Sequence, residues 1–430
     1  MNLSDLSLAL AALLALGAAP DKQPELDLSV APSPSTSRIN VVATVKGLPC
    51  TSGIARVWLN QGLTVDQARV DGREVLPVLD APGAGRIFIS AARAIDLPCP
   101  RKTAELRYSG PGLLHPDGRN QVSPDYIELS YYGAWYPLTG DERRRSWRLQ
   151  TRLPKEWTYA SNGRVIKAST RLVFESRKPA DVVFVASPRF AASSDRSGAR
   201  VLIANDTSLP ARATAFALGR EAAETAAWLA SIIGPSGAPS GPVLVFASRK
   251  GPLSYARLPI IVTPQANLDA PGDRPLALNI RHEVAHFWSR SVGAENDWLN
   301  EGIAEYLALV RTREIEGNAI HRALLERYRS EVAAAGDGVP ILETAADERR
   351  AYGNRYQRVP LLLDAVERGA GRIAVERLLR RAFALGAELS SGTFEMLATL
   401  ELGGGQAELI GRCLRARNWP AECGGRSRPS

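Results

Sequence analysis

HEVAHFWSRSVGAENDWLNEGIAEY, residues 282–306, is the stretch that decides how this chain reads. It carries two histidines four apart, His282 and His286, with Glu283 between them, and two later glutamates, Glu301 and Glu305, that are also four apart. On a helix, residues four apart share a face. His282 and His286 can therefore present their imidazoles to one cation while Glu283, one position round, reaches the space beside it. The chemistry needs these residue types. Neutral imidazoles bind zinc at about 2.0 Å, and a carboxylate can take a proton from zinc-bound water whose pKa the metal lowers to about 7. The chain has only 4 histidines, so an accidental HExxH is improbable. Ile280, Val284, Phe287 and Trp288 make the remaining faces apolar, as suits a helix buried in a catalytic core. A catalytic zinc keeps three protein ligands and an open position, and the missing third ligand can come from either Glu301 or Glu305 in the helical segment WLNEGIAEYLALV.

HEVAHFW followed by WLNEGIAEY resembles the zinc helices of the membrane alanyl aminopeptidase (aminopeptidase N) family of gluzincin zinc metallopeptidases. The family's literal spacing lands on Glu305, and its NEG motif lands on Glu301. The motif is the better guide, because the segment FWSRSVGAENDWLN is a loop that can lose four residues without moving the helix that follows. The resemblance thus implies His282, His286 and Glu301 as ligands of one Zn2+ and Glu283 as general base. Glu305 is placed like the carboxylate that other gluzincins use to accept a hydrogen bond from a ligand histidine and fix its tautomer. The family's oxyanion-donating tyrosine stands in a Y-x-K-G segment before an apolar helix. The similar segment here is AYGNRYQRVPLLLDAV, with Tyr356 as the match, Tyr352 as the other candidate, and departures at Val359 and Pro360.

WYPL at 135–138, SWRLQTRLPKEWTYASNGRV at 146–165 and LTVDQARVDG at 63–72 resemble the family's saddle-shaped N-terminal β-domain. ELIGRCLRARNWP resembles the last helix of its catalytic domain, so the family's large C-terminal helical domain is expected to be absent. The family's G-x-M-E-N edge strand, whose glutamate binds the substrate α-amine, is replaced by RKGPLSYARLPIIVTPQA, which has no acidic residue. That strand offers Arg257 and the hydroxyls of Ser254 and Tyr255 instead, with Asp269 or Asp273 as anchors from another loop. The expected preference is for longer or N-terminally blocked peptides.

The rest of the chain fits two domains. A composition of 45% apolar and 23% charged residues is that of a folded globular protein, and the net charge of +8 comes from scattered arginines without a basic, aromatic-interleaved run, which argues against nucleic-acid binding. Even Arg143, Arg144 and Arg145 read as a solvated face. Residues 1–19 are expected to be an export signal, since LSLALAALLALGAA is too short to span a bilayer of about 20 helical residues. No stable membrane span is expected, and the location is periplasmic or secreted. Cys50 with Cys99 and Cys413 with Cys423 form two local couples; four cysteines allow three connectivities, or can stay free.

After the Pro/Ser-rich stretch APSPSTS at 31–37, which reads as a linker, the segments NVVATV, ARVWL, RIFIS, AELRYSG, YIELSYYG, RLVFES and DVVFVAS read as strands. His115 lies in a turn. From ARATAFALGREAAETAAWLASII onward the period is helical, apart from PVLVFAS and PIIVTP, and His321 reads as a helix-surface residue. GAGRIA at 369–374 follows a helix, which excludes a dinucleotide site. The expected fold is α+β multidomain: an N-terminal β-saddle domain over 27–195, then a thermolysin-like α/β zinc-peptidase domain over 196–420, with a flexible tail at 421–430. The expected function is zinc-dependent hydrolysis of a peptide or protein substrate. The competing reading is a secreted peptide-binding module on a catalytically weak zinc-peptidase scaffold.

Overall fold

The computed structural model describes residues 24–79, 92–111, 119–139, 144–168, 171–194, 196–249, 251, 253–269, 275–289, 296–335, 338–344 and 353–424. The export segment, the expected strand RIFIS, His115, Arg143, Asp273, Tyr352 and residues 425–430 lie outside them.

Strict alternation in Leu26–Ser33 and Arg38–Lys46 buries Leu28 and Val30 against Val41 and Ala43, so these segments pair as an antiparallel hairpin with Ser33 opposite Arg38. APSPSTS is therefore the end of a strand and a tight 3-10 turn, Pro34–Thr36, instead of a linker. The hairpin is the centre of an eight-stranded sheet, in which Leu26–Ser33 also pairs in parallel with Arg145–Thr151. Arg145 is buried there, donating to the Lys46 carbonyl at 2.9 Å, so it is not on a solvated face. A five-stranded sheet built around Ile54–Asn60 and Ala92–Pro98 covers it, and the two share a core that includes Leu28, Val57, Ile95, Trp135 and Trp147.

A four-stranded sheet containing Tyr126–Leu129 and Phe184–Ser187 joins this β-rich half to the helical half. It packs through Tyr126, Val183 and Val185 on Leu202, Val245, Ile260 and Val262 of another five-stranded sheet. That last sheet runs Phe190–Ser194, Arg200–Ala204, Val243–Ala247, Ile260–Pro264, Tyr255–Arg257, with Tyr255–Arg257 antiparallel at its edge. The antiparallel pair Phe190–Ser194/Arg200–Ala204 belongs wholly to it.

Period-2 alternation gives the sheet its second apolar face: Val201, Ile203, Leu244, Phe246 and Ile261 point to the helices. These are α1 (Leu209–Ile232), α2 (Leu276–Ala285), α3 (Asp297–Glu316), α4 (Asn318–Ala335), α5 (Val359–Ala370), α6 (Arg372–Leu385), α7 (Ser391–Leu402) and α8 (Gly404–Arg415). Disulfides join Cys50 to Cys99 and Cys413 to Cys423. The second ties the 3-10 turn Ala421–Gly424 to α8. Among the described residues, no helix is long and apolar enough to cross a membrane.

Candidate metal centre

The two motif helices are locked together from below. Ile280 and Val284 of α2 sit in the core, and the buried Arg281 guanidinium reaches α1 through Glu221 (2.8 Å) and α3 through Thr312 (2.7 Å) and Glu316. A buried cation is tolerable only when its donors are paired, and here the pairing also sets the α2 to α3 spacing. The helix proper ends at Ala285, and His286 is its C-cap with helical φ and ψ of −62° and −15°, so it still projects one turn beyond His282.

Three donor atoms converge. The Nε2 atoms of His282 and His286 are 3.0 Å apart, and Glu301 Oε2 lies 3.3 Å from the first and 3.4 Å from the second. A tetrahedral ion with bonds of about 2.0–2.1 Å needs its donors about 3.3 Å apart. The triangle therefore fits zinc both in edge length and in its two imidazoles plus one carboxylate. His282, His286 and Glu301 are also the one group of metal-ligating side chains, among the described residues, that converges in this way. Burial raises the Glu301 carboxyl, but the facing His286 and His282 outweigh it and hold the group well below the usual carboxylate range.

Glu305 faces the other side of the same histidine. Its Oε2 is 2.8 Å from His282 Nδ1, and it is 0% exposed, which separates its position from that of Glu301 and from a solvated helix face. Tyr328 of α4 donates its hydroxyl to Glu305 Oε1. Glu283 is buried beside the triangle, near enough to Tyr356 for its charge to help raise that phenol.

Tyr356 stands in a widened, π-helical turn, Asn354–Arg358, just before α5. Its ring lies 5.3 Å from that of His282 and its hydroxyl donates to Glu301 Oε2. Burial first, then Glu301, pushes the Tyr356 phenol well above its ordinary value, so it is a proton donor at neutral pH. The two departures from the family pattern have local explanations. Val359 packs on Gly302, where a Cβ would meet Val359 Cγ1 at 2.3 Å, and Pro360, which has no N–H to give, stands just after the widened π-helical turn Asn354–Arg358. The glycine of the NEG motif is what lets α5 approach α3 closely enough to put Tyr356 on Glu301.

Asp297, in the first turn of α3, was not singled out by the sequence. Burial, then the Glu301 charge, pushes its carboxyl up to about 6, opposed by Arg355, whose Nη1 is 2.8 Å from Asp297 Oδ2. This pair ties the widened turn to α3 beside Tyr356. Tyr328 was missed as well, because in sequence it reads only as one member of the apolar stripe Leu324, Leu325, Tyr328, Val332. His321, on the same helix, is buried at 6% exposure, not at the surface.

The edge strand does not present the side chains its sequence offers. Arg257 pairs with Asp181 of the β-rich half and lies 5.3 Å over the Tyr132 ring. Ser254 Oγ donates to Thr263 Oγ1 (2.9 Å) and accepts from Asn279 Nδ2 (2.8 Å), and Tyr255 is 2% exposed in the inter-sheet core.

No protein-family model matches the chain. No curated protein sequence does either. Solved structures do. The M1 zinc metallopeptidase from Deinococcus radiodurans superposes with a TM-score of 0.71 over 92% of this chain and 94% of that one, at 17% identity. The fold is that of the M1 zinc metallopeptidases. A mutant of the same enzyme bound to a Tyr-Ser-Ala substrate gives a TM-score of 0.69 over 93% and 95% of the two chains, at 17% identity. Native yeast LTA4 hydrolase gives 0.72 over 94% of this chain and 68% of that one, at 14% identity. At such identities the likeness is one of fold, and the function rests on the side chains.

Proposed function

We propose that the chain is a zinc-dependent metallopeptidase, a relative of the aminopeptidase N branch with a β-saddle and a thermolysin-like catalytic half. The observation that carries this reading is the donor triangle of His282, His286 and Glu301, with edges of 3.0, 3.3 and 3.4 Å. Held by these three side chains, zinc would supply the Lewis acidity that makes water a nucleophile at neutral pH and polarises a carbonyl. Glu283 takes the proton from the attacking water and returns it to the leaving nitrogen. The Tyr356 hydroxyl, kept protonated by its surroundings, donates to the substrate carbonyl oxygen as negative charge develops on it. Glu305 holds His282 through Nδ1, leaving Nε2 as the ligand atom.

The substrates are peptides. With Arg257 paired to Asp181 and no acidic side chain on the edge strand, a free α-ammonium has no partner there, and leaving that cation buried and unpaired costs several kcal/mol. Longer or N-terminally blocked peptides are the better substrates on this reading, bound by backbone pairing along Tyr255–Arg257. The two disulfides support a periplasmic or secreted location.

The test is hydrolysis of an internally quenched, acetylated peptide by the zinc-loaded wild type and by Glu283→Gln. Loss of about 10²-fold or more in kcat with zinc retained is expected. Equal, background rates would favour a peptide-binding module. A strong preference for the same peptide with a free amine would overturn the blocked-peptide reading.

A further inference from the structure

We infer that Tyr328 is a positioning residue for the metal centre, acting from α4 through Glu305 on His282. The inference deepens the zinc-site reading above and rests on it. The chain of contacts is short: Tyr328 hydroxyl to Glu305 Oε1, then Glu305 Oε2 to His282 Nδ1 at 2.8 Å. Every member is buried, with Glu305 at 0%, Tyr328 at 3% and His282 at 3% exposure. The two oxygens of Glu305 therefore face different partners, one on α2 and one on α4.

A carboxylate with no exposure depends on protein donors for its lone pairs, and each donor also restricts its rotation about the side-chain torsions. Tyr328 holds the Oε1 end, and the Oε2 end lies 2.8 Å from His282 Nδ1. An N–H at Nδ1 puts the lone pair on Nε2, the atom facing His286 and Glu301. Orientation of the ligand imidazole thus depends on a hydroxyl on a third helix, outside both motif helices. The ring of Tyr328 is held separately, among Leu324, Leu325 and Leu361, so packing and hydrogen bonding can be removed one without the other.

The experiment measures zinc affinity by chelator competition on the full chain for wild type, Tyr328→Phe, Glu305→Gln and the double variant, with melting of each metal-free protein. Tyr328→Phe keeps the packed ring and should weaken zinc binding about 10-fold, within the range for groups that orient ligand histidines. In the Glu305→Gln background it should weaken binding no further. The visible spectrum of the Co2+-substituted protein should shift in Tyr328→Phe, because the His282 imidazole is reoriented. An unchanged affinity, an equal additional loss in the Glu305→Gln background, or a lowered metal-free melting temperature with unchanged affinity and spectrum would each overturn the role. A wild type that binds no zinc would overturn the metallopeptidase reading and this inference with it. A wild type that binds zinc alongside an indifferent Tyr328→Phe overturns this inference alone.

Discussion

Replacing Gly302 by Ala sets two effects of opposite sign against each other. In a helix interior Ala is favoured over Gly by about 1 kcal/mol. Against this, the added Cβ would lie 2.3 Å from Val359 Cγ1, 2.4 Å from its Cβ and 3.0 Å from its Cγ2. Carbon atoms rest about 3.5–4.0 Å apart, so α5 must retreat by about an ångström or more. Rotation of the valine cannot relieve the contact to its own Cβ, and Val359 is 0% exposed, so the cost sits in the upper part of the roughly 1–3 kcal/mol range for overpacking. The net expectation is destabilisation of about 1–2 kcal/mol. The displacement also separates Tyr356 from Glu301, so zinc-dependent hydrolysis should fall more than zinc affinity does. Urea denaturation of the metal-free protein reads the first effect as a lower midpoint with an unchanged slope. Val359→Gly removes all three clashing atoms, and a double-mutant cycle should give a favourable coupling of about 2–3 kcal/mol, the size of the relieved overpacking. Gly302→Ala as stable as wild type, or zero coupling to Val359, would refute the close-approach argument.

Glu301→Ala should abolish zinc binding, whereas Glu305→Ala should weaken it about 10- to 100-fold; metal analysis and chelator competition check the order, and its reversal would exchange the two roles. By loop length, losing the Cys50–Cys99 bridge, 49 residues apart, should cost about 4 kcal/mol and losing Cys413–Cys423, 10 residues apart, about 3 kcal/mol. Thermal melting of the paired Cys→Ser variants reads both losses, and titration of the unreduced wild type should find no free thiol. Burial raises the Asp181 carboxyl, but Arg257 and Arg144 outweigh it and hold the group below its ordinary 3.8. A depressed folded pKa gives stability that is fully present above the unfolded value and lost as pH falls below it. The melting-temperature gap between wild type and Asp181→Asn should therefore be constant near neutrality and close below about pH 4. A gap that widens in acid would show that the carboxylate is not the stabilising form.

How much of this was legible beforehand differs from residue to residue. His282, Glu283 and His286 were legible because a helix imposes a four-residue period, and that period alone puts both imidazoles on one face. The strands Leu26–Ser33 and Arg38–Lys46 are written in an alternation that exposes or buries whole faces at once, although the Pro and Ser residues between them concealed a hairpin. What the sequence by itself determined was thus local: helical and two-residue periods and the HExxH spacing, with Glu301 pointed to by the likeness of its NEG motif to the family's, while the cysteine partners stayed open. Only the tertiary structure decided which partner each group meets. Arg257 and Arg145 are charged residues that read as solvent-facing, yet Arg257 pairs with Asp181 and Arg145 donates to a backbone carbonyl, partners 76 and 99 residues away. Tyr328 comes to Glu305 from 23 residues away on another helix, and Tyr356 to Glu301 from 55. Such meetings depend on how α3, α4 and α5 pack, down to the missing Cβ of Gly302. No period within a single element carries that information, because the burial that selects those contacts arises only once the helices have closed on one another.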